Sequence, residues 1–186
     1  MIALIFAHPY PDRSRANRLL LDQVHDLPDL EIRELYRLYP DFAIDVEAEQ
    51  QALLRAKLIV WQGPMYWYSV PSLLKHWFEK VLTLGWAYGP EGNALHGIHC
   101  LWAMTTGAPV EAFDSTGFHA FSLEAFLPPV QQTAQFCGMK WLSPFVVHGA
   151  HRISHAELVD HGRAYRERLQ QEVESIINFQ QTLGRK

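Results

Sequence analysis

The chain has 186 residues, enough for one domain that buries roughly 70% of its unfolded surface without disulfides or metals. Hydrophobic residues make up 48% and charged residues 19%, which excludes an extended disordered chain and favours a packed globule. A net charge of -4 provides no basic surface, so we expect no nucleic-acid partner. Residues 1–186 are therefore assigned to a single domain.

The first half of the chain alternates strands with helices. Ile2–Ala7 is a continuous apolar run ended by His8-Pro9, which predicts a strand covered on both faces. Ser14 can cap a helix that runs to about Leu27. The next predicted elements are a strand at Leu30–Leu35, a helix at about Val46–Ala56 and a strand at Lys57–Trp61.

The second half continues the alternation. Ser72–Leu82 has apolar residues at helical spacing, and Gly85–Gly97 is glycine-rich, which predicts an irregular, exposed segment. A fourth strand is predicted at Ile98–Thr105. After it we expect a helix at Leu123–Phe136, a fifth strand at Trp141–His148 that Pro144 places at a sheet edge, and a long helix after Ser154.

The cysteines and apolar runs predict a cytoplasmic protein. The opening MIALIFAHPYP is too short and too uncharged for a signal peptide, and no segment approaches the roughly 20 apolar residues that span a bilayer. Cys100 and Cys137 lie inside apolar segments. We expect two buried thiols in a reducing compartment rather than a disulfide.

The alternating elements predict parallel βαβ units in a three-layer α/β sandwich, with a five-stranded sheet and helices on both faces. Two strand orders are common in such sheets, the dinucleotide-binding order and the flavodoxin-like order 2-1-3-4-5. A dinucleotide site requires Gly-x-Gly-x-x-Gly in the first βα turn, whereas HPYPDRSRAN contains no glycine. The flavodoxin-like order is therefore predicted, and it brings the turns after strands one and three to one crevice.

That crevice is predicted to bind a planar, phosphorylated ligand. Ser14–Asn17 open a helix whose free amides and positive dipole end suit a phosphate, although a plain N-cap would account for Ser14 alone. Tyr66–Tyr68 offer rings for stacking a heterocycle or for plugging the core. Thr105–Gly107 end strand four on the same rim, where hydroxyls can bond ring carbonyls. Together these features favour a flavin mononucleotide.

Several motifs resemble a known family. The segments GPMYWYSVPSLLKHWFEKV, Thr105-Thr106-Gly107 and Gly117-Phe118-His119 resemble those of the flavodoxin-like NAD(P)H quinone reductases, the DT-diaphorase family. Within it, HPYP, LYPDFAIDVEAEQQAL, GWAYGPEGNALHG and WLSPF are most similar to the ancillary oxidoreductases of glutathione-gated potassium-efflux antiporters. This resemblance extends to about residue 170. It implies a homodimer, bound FMN or FAD, ping-pong two-electron transfer from NAD(P)H to quinones, and docking on an antiporter at the inner face of the membrane.

The resemblance also implies roles for individual residues. The cofactor-binding residues would be His8, Ser14, Arg15, Ala16, Asn17, Pro64, Met65, Tyr66, Trp67, Tyr68, Thr105, Thr106, Gly107 and Ala108. His119 would be catalytic and contact the substrate with Phe113 and Phe118, while Trp67 and Phe118 exclude water. Phe113 stands where mammalian members have a tyrosine, so His119 or water must supply the proton. Ala108 replaces a second glycine of many relatives.

Other interpretations remain open from the sequence. The chain could be a regulatory module that holds flavin structurally and acts by contacting a transporter, whereas an electron carrier would need a more acidic surface than -4 provides. The sequence does not choose FMN or FAD, NADH or NADPH, the quinone, or the antiporter paralogue, but the lack of an adenine-binding segment favours FMN. His148, His151 and His155 are not expected to bind metal, because no Asp or Cys joins them.

Overall fold

The computed structural model describes residues 1–114 and 116–183. Its strands are β1 (Ile2–Phe6), β2 (Leu30–Glu34), β3 (Leu58–Pro64), β4 (His99–Thr105), β5 (Lys140–Trp141) and β6 (Phe145–Val147). Its helices are α1 (Arg15–Val24), α2 (Leu35–Leu38), α3 (Val46–Leu54), α4 (Ser72–Val81), α5 (Pro128–Phe136) and α6 (His155–Leu183). Short 3-10 turns lie at Pro11–Arg13, Val110–Ala112 and Leu123–Phe126.

The strands form one parallel sheet in the order β2-β1-β3-β4-β5. β5 pairs with the start of β4, and β6 pairs with the end of β4. The predicted strand order 2-1-3-4-5 is therefore confirmed. β1 and β3 pair from Ile2 opposite Leu58 to Phe6 opposite Gln62. Because the two strands are parallel and paired over the whole of β1, the turns that follow them start at the same edge of the sheet.

Side chains alternate across the sheet and build two cores. On β1, Ala3 and Ile5 pack with residues of α3, α4 and α5, whereas Leu4 and Phe6 pack with residues of α1 and α6. All four side chains are essentially inaccessible to solvent, as expected for a parallel sheet covered on both faces. The three-layer α/β architecture is confirmed, while the single domain over residues 1–186 stays a prediction.

Prolines change two predicted elements. The fifth strand, predicted as Trp141–His148, consists of the two short strands β5 and β6, because Pro144 has no amide hydrogen for the ladder between them. The helix predicted at Leu123–Phe136 is a 3-10 turn followed by α5. Pro128 and Pro129 occupy the first positions of α5, where a missing amide hydrogen is tolerated but a continuous helix is not.

Two connections are more ordered than predicted. Leu35, predicted as the end of the second strand, forms the short helix α2 together with residues 36–38, which were expected to lie in a connection. The segment Gly85–Gly97 is irregular, but its description as simply exposed is wrong, since Ala87 and Leu95 are fully buried in the core beside α4. The glycine content of this segment correctly predicted an irregular backbone. It did not predict burial, which is determined by the apolar side chains of the segment.

Cys100 and Cys137 are free and buried, as predicted. Burial raises the pKa of the Cys137 thiol to about 11 and raises that of Cys100 well above its usual value, so neither forms a thiolate readily at neutral pH. Within the part of the chain that the structure describes, every helix is too short or too polar to cross a membrane.

A buried carboxylate ties β2, α3 and α4 together. Glu49 on α3 is fully buried, and its Oε1 accepts hydrogen bonds from Arg33 Nη2 at 2.6 Å, Arg33 Nε at 2.9 Å and the Tyr39 hydroxyl at 2.7 Å. Its Oε2 accepts from Trp77 Nε1 at 2.9 Å. Burial and the Glu49 carboxylate raise the pKa of Tyr39 to about 12, so the phenol remains a donor. Each oxygen of this buried charge is satisfied.

We expect Glu49→Ala to destabilise the fold by about 3–5 kcal/mol, because it leaves the guanidinium, phenol and indole without their acceptor. Urea unfolding followed by tryptophan fluorescence measures the change. Glu47→Ala, at an exposed position of the same helix, is the control and should change the free energy of unfolding by less than about 0.5 kcal/mol. A loss below about 1 kcal/mol for Glu49→Ala would contradict this account.

Candidate functional site

The candidate site lies at the shared edge where β1 and β3 end. A Cβ on Gly63 would sit 2.4 Å from the carbonyl oxygen of Ala7, so only glycine permits the two strands to approach this closely. The Ala7 amide donates to the Gln62 carbonyl at 2.8 Å. The turns after the two strands therefore begin side by side, as the sequence predicts.

The N-terminus of α1 forms one wall of the site. Ser14 caps the helix by accepting a hydrogen bond from the Asn17 amide at 3.2 Å. The amides of Arg15 and Ala16 open the helix and have no partner within it. A helix start of this kind, with its positive dipole end, is suited to an anion.

A buried chain of hydrogen bonds joins this helix to the sheet. The Tyr165 hydroxyl donates to Gln62 Oε1 at 3.0 Å, and Gln62 Nε2 donates to the Asn17 carbonyl at 2.9 Å. Asn17 Nδ2 then donates to Thr105 Oγ1 at 2.9 Å. Asn17 Oδ1 is buried and accepts no hydrogen bond from the described residues. An orphaned buried acceptor is costly, so it points to a donor on a bound ligand.

The aromatic turn after β3 is strained. Trp67 and Tyr68 both have positive φ, at 49° and 63°, and Tyr66 and Ser69 exchange two backbone hydrogen bonds of 3.0 Å across them. Such a two-residue turn normally uses Asn and Gly, because a left-handed conformation costs other residues roughly 1–2 kcal/mol each. Strain of this kind is typical of functional sites.

Two adjoining cavities occupy the edge, one of about 310 Å³ and one of about 210 Å³. The larger is lined by His8, Tyr10, Arg13, Ser14, Arg15, Ala16, Asn17, Pro64, Met65, Tyr66, Thr105, Gly107, Ala150 and His151. The smaller is lined by Met65, Trp67, Tyr68, Thr106, Gly107, Ala108, Phe113 and His119. Met65 and Gly107 line both, so the two cavities adjoin, and we refer to the pair as the cleft.

Every residue predicted to bind the cofactor lines this cleft, and so do Phe113 and His119. Their binding roles stay predictions. Phe118 lines neither cavity; its side chain is 88% exposed, and that of Trp67 is 92% exposed. In a single chain these two rings do not exclude water from the cleft, contrary to expectation, because the left-handed turn carries Trp67 outward.

Four lining residues were not predicted: Tyr10, Arg13, Ala150 and His151. The first two lie in the turn after β1, which was predicted to face the crevice but without a role for either residue. His151 was considered only as a metal ligand. The sequence feature that could have identified it is its position in the turn after the last strand, at the edge of the sheet where ligands bind. Among the described residues, no group of three or more His, Cys, Asp and Glu is arranged to hold a metal.

His119 lies at the aromatic end of the cleft. Its ring stacks on Phe113 with centroids 4.6 Å apart, and its Nδ1 lies 3.4 Å from the Tyr68 hydroxyl. Its Nε2 is buried without a hydrogen-bond partner in the described chain. Gly117 is needed in this loop, since a Cβ there would approach the Ala112 carbonyl to 2.6 Å. The loop therefore presents one unused imidazole nitrogen beside the cleft.

A second histidine supports the rim of the cleft. The Thr106 hydroxyl donates to the Ala108 carbonyl at 2.7 Å, so it must accept from His148 Nδ1 at 3.1 Å. This arrangement assigns the proton of a neutral His148 to Nδ1. Burial lowers the pKa of His148, and Glu111 and Glu124 oppose that shift.

His8 lies at the anion-binding end of the cleft. Its Nδ1 accepts a hydrogen bond from the Tyr10 amide at 3.0 Å, which leaves Nε2 as the protonated nitrogen of the neutral ring. Burial lowers the pKa of His8, and the proximity of His151 adds to the effect. His8 is therefore favoured as a neutral donor rather than as a cation.

Comparison with known proteins places the chain in a family. A sequence family described as having a flavodoxin-like fold, Flavodoxin_2, matches residues 1–169. The chain belongs to this family. It is 54% identical over 169 residues to the glutathione-regulated potassium-efflux system ancillary protein KefF of Salmonella typhimurium, covering 91% of this chain and 95% of the relative.

Solved structures share the fold. The general stress protein 14 of Treponema denticola, in complex with FMN, matches with a TM-score of 0.85 and 36% identity over 91% of this chain and 97% of its own. An NADPH-quinone reductase from P. pentosaceus matches with a TM-score of 0.82 and 26% identity, covering 90% and 96%. A protein described as a thermophilic tryptophan halogenase from Streptomycin violaceusniger matches with a TM-score of 0.86 and 41% identity, covering 90% and 96%. The shared fold therefore does not identify the reaction, which depends on the residues of the site.

The lowered pKa values of His8 and His148 predict loss of stability in mild acid. Their folded-state pKa values lie below the unfolded value of 6.5, so the unfolded chain binds more protons as the pH falls past 6.5. The contribution is fully present above pH 6.5 and is lost as the pH falls through the folded pKa values. We expect the free energy of unfolding to decrease between pH 7.5 and 5.5.

His148→Asn tests this expectation, because Asn keeps a donor near the Nδ1 position but does not titrate. We expect the pH dependence of unfolding to be shallower in this variant than in the wild type, measured by urea unfolding at each pH. His155→Asn changes an exposed histidine and should leave the wild-type slope in place. Identical slopes in the wild type and His148→Asn would show that His148 does not contribute.

Proposed function

We propose that this chain is a flavin-dependent NAD(P)H:quinone oxidoreductase that also acts as the ancillary, activating subunit of a glutathione-regulated potassium-efflux antiporter. One observation carries the proposal. The cleft places a capped helix start, with the buried acceptor Asn17 Oδ1 that has no partner among the described residues, next to an aromatic cavity lined by His119. The name of the KefF relative and those of the reductase structures support the two roles.

The cofactor that the cleft fits best is FMN. The start of α1 supplies amides and the Ser14 hydroxyl for one phosphate, and Asn17 Oδ1 supplies an acceptor for a ribityl hydroxyl. Thr106 and the aromatic turn line the space that an isoalloxazine ring would occupy. The FMN complex of the Treponema protein supports this choice over FAD. NAD(P)H would be the electron donor and a quinone the substrate.

The residues of the chain would orient the reactants and move protons. Bound flavin supplies two-electron hydride chemistry that amino-acid side chains cannot perform. His119 Nε2, buried and without a partner in the described chain, would donate a hydrogen bond to the oxygen on which charge develops. Phe113 cannot donate, so it holds the imidazole by stacking while Tyr68 contacts Nδ1.

We also propose a homodimer that closes the cleft. Exposed aromatic residues lie on the turn after β3 and on the loop that carries His119, a set we call the aromatic rim: Tyr66, Trp67, Tyr68, Phe118 and Phe121. Ring contacts connect Tyr68 and Phe118 through His119, and Tyr68 and Phe121 through Phe126. Clustered exposed apolar side chains mark an interaction site. A second copy covering this rim would remove water from the site, which one chain does not achieve.

In the ancillary role the protein would lie in the cytoplasm, at the inner face of the membrane when it is docked on the antiporter. The sequence match to KefF over almost the whole of both chains supports this assignment. The alternative is a regulatory module that uses flavin only as a structural ligand. The strained aromatic turn and the unpartnered His119 nitrogen favour catalysis, because a purely structural ligand requires neither.

Quinone turnover tests the enzymatic half of the proposal. We expect purified protein to release FMN on heating and to oxidise NADPH or NADH when menadione is added. His119→Gln should lower the turnover about 100-fold while flavin remains bound, because the donor beside the reacting oxygen is displaced. Stopped-flow absorbance separates reduction by NAD(P)H from reoxidation by menadione.

His155→Gln, at an exposed position outside the cleft, is the matched control and should retain wild-type turnover. The oxidoreductase assignment would be overturned by a wild-type protein that binds flavin but oxidises no NAD(P)H with quinones. Full turnover in His119→Gln would instead show that His119 takes no part in the reaction.

Potassium efflux tests the regulatory half. In cells that carry a glutathione-regulated antiporter but lack its ancillary protein, expression of this chain should increase potassium efflux after electrophile treatment. His119→Gln should restore efflux to the wild-type level if docking alone activates the antiporter. Loss of both turnover and activation in this variant would show that catalysis drives regulation. No increase with the wild-type chain would contradict the ancillary role.

A further inference from the structure

We propose that His151 binds the phosphate end of the flavin and is a residue through which this chain distinguishes FMN from riboflavin. The inference rests on the proposed flavin site. It concerns a residue outside the segments that identified that site, on the turn after β6.

The turn that carries His151 is held rigidly against the rim of the cleft. The Ala150 amide donates to the Thr106 carbonyl at 2.9 Å, and the Gly149 amide donates to the Ala108 carbonyl at 2.9 Å. The Arg152 amide closes the turn by donating to the Gly149 carbonyl at 2.7 Å. Gly149 has a φ of 62°, which this turn requires. His151 is therefore held between two fixed backbone contacts rather than on a free loop.

The imidazole of His151 lies directly on the wall of the larger cavity. A Cβ on Gly107 would approach His151 Cδ2 to 3.3 Å and Nε2 to 3.6 Å, so the ring packs close to that glycine. His151 and the start of α1 line the same cavity. Gly107 thus leaves space for a histidine beside the helix start, where an anion would bind.

The groups around this end of the cleft are suited to an anion. Arg13, Arg15 and the capped start of α1 line it, and none of the described residues that line it is acidic. His8 lies close enough to sense His151 electrostatically, and its burial favours the neutral ring. His151 is exposed on its outer side and offers an imidazole N–H in either protonation state. It would add a donor opposite the helix amides.

Riboflavin lacks the phosphate, so contacts to this end of the cleft strengthen FMN binding alone. A hydrogen bond to a charged group contributes enough that its removal should weaken binding about tenfold to a hundredfold. A residue that only supports the fold would instead weaken FMN and riboflavin together. The ratio of the two affinities therefore isolates the phosphate contact.

The experiment titrates full-length protein, freed of co-purified flavin, with FMN and with riboflavin and follows the quenching of flavin fluorescence. In His151→Ala we expect the Kd for FMN to rise at least tenfold and the Kd for riboflavin to change less than twofold. The control is Arg152→Ala, which removes an exposed charge next to His151 but outside the cleft. It should leave both values within twofold of the wild type.

An unchanged Kd for FMN in His151→Ala, or equal weakening of FMN and riboflavin, would overturn the role of His151 while the flavin site stands. Wild-type protein that binds neither flavin would overturn the proposed function together with this inference. Thermal unfolding of each variant without flavin confirms that the fold is retained, so a loss of binding reports on the contact itself.

Discussion

The site depends on the buried hydrogen bonds that run from Tyr165 through Gln62 to Asn17 and Thr105. These four residues belong to α6, β3, α1 and β4, so the chain of bonds fixes one helix start against two strands and the last helix. An unmade hydrogen bond in this apolar interior costs about 1–3 kcal/mol, which leaves the network few alternative arrangements. Burial raises the pKa of Tyr165, so its hydroxyl stays a donor. The position of Asn17 Oδ1 is therefore set before any ligand arrives.

The strain of the aromatic turn is offset by contacts with its surroundings. The Met65 amide donates to the Thr105 carbonyl at 2.8 Å, and Tyr68 stacks on Phe126 with centroids 4.9 Å apart. The same geometry turns Trp67 into solvent. A homodimer and an antiporter would both need an apolar surface, and the aromatic rim is one surface. If a second copy covers it, the antiporter must bind elsewhere on the chain.

The sequence predicted the features that follow from local chemistry. Apolar runs identified the strands, and the missing glycines of the first turn selected the strand order. Ser14 was correctly identified as a cap because its hydroxyl precedes an amphipathic run. What escaped prediction depends on contacts distant in sequence. The burial of Gln62 and Glu49 requires partners 103 and 28 residues away, in Tyr165 and Trp77, that no local pattern reveals.

Phe113, which the resemblance matches to a tyrosine of mammalian relatives, is part of an aromatic cluster. Phe113 lies between two imidazoles, 4.6 Å from that of His119 and 5.5 Å from that of His148. A phenol also reaches His119, since the Tyr68 hydroxyl lies 3.4 Å from its Nδ1. If that hydroxyl donates, Nδ1 is an acceptor and the proton of the neutral ring is on Nε2. The strained turn that exposes Trp67 also positions the Tyr68 hydroxyl. It would thereby select the tautomer of His119 that can donate a hydrogen bond to a ligand.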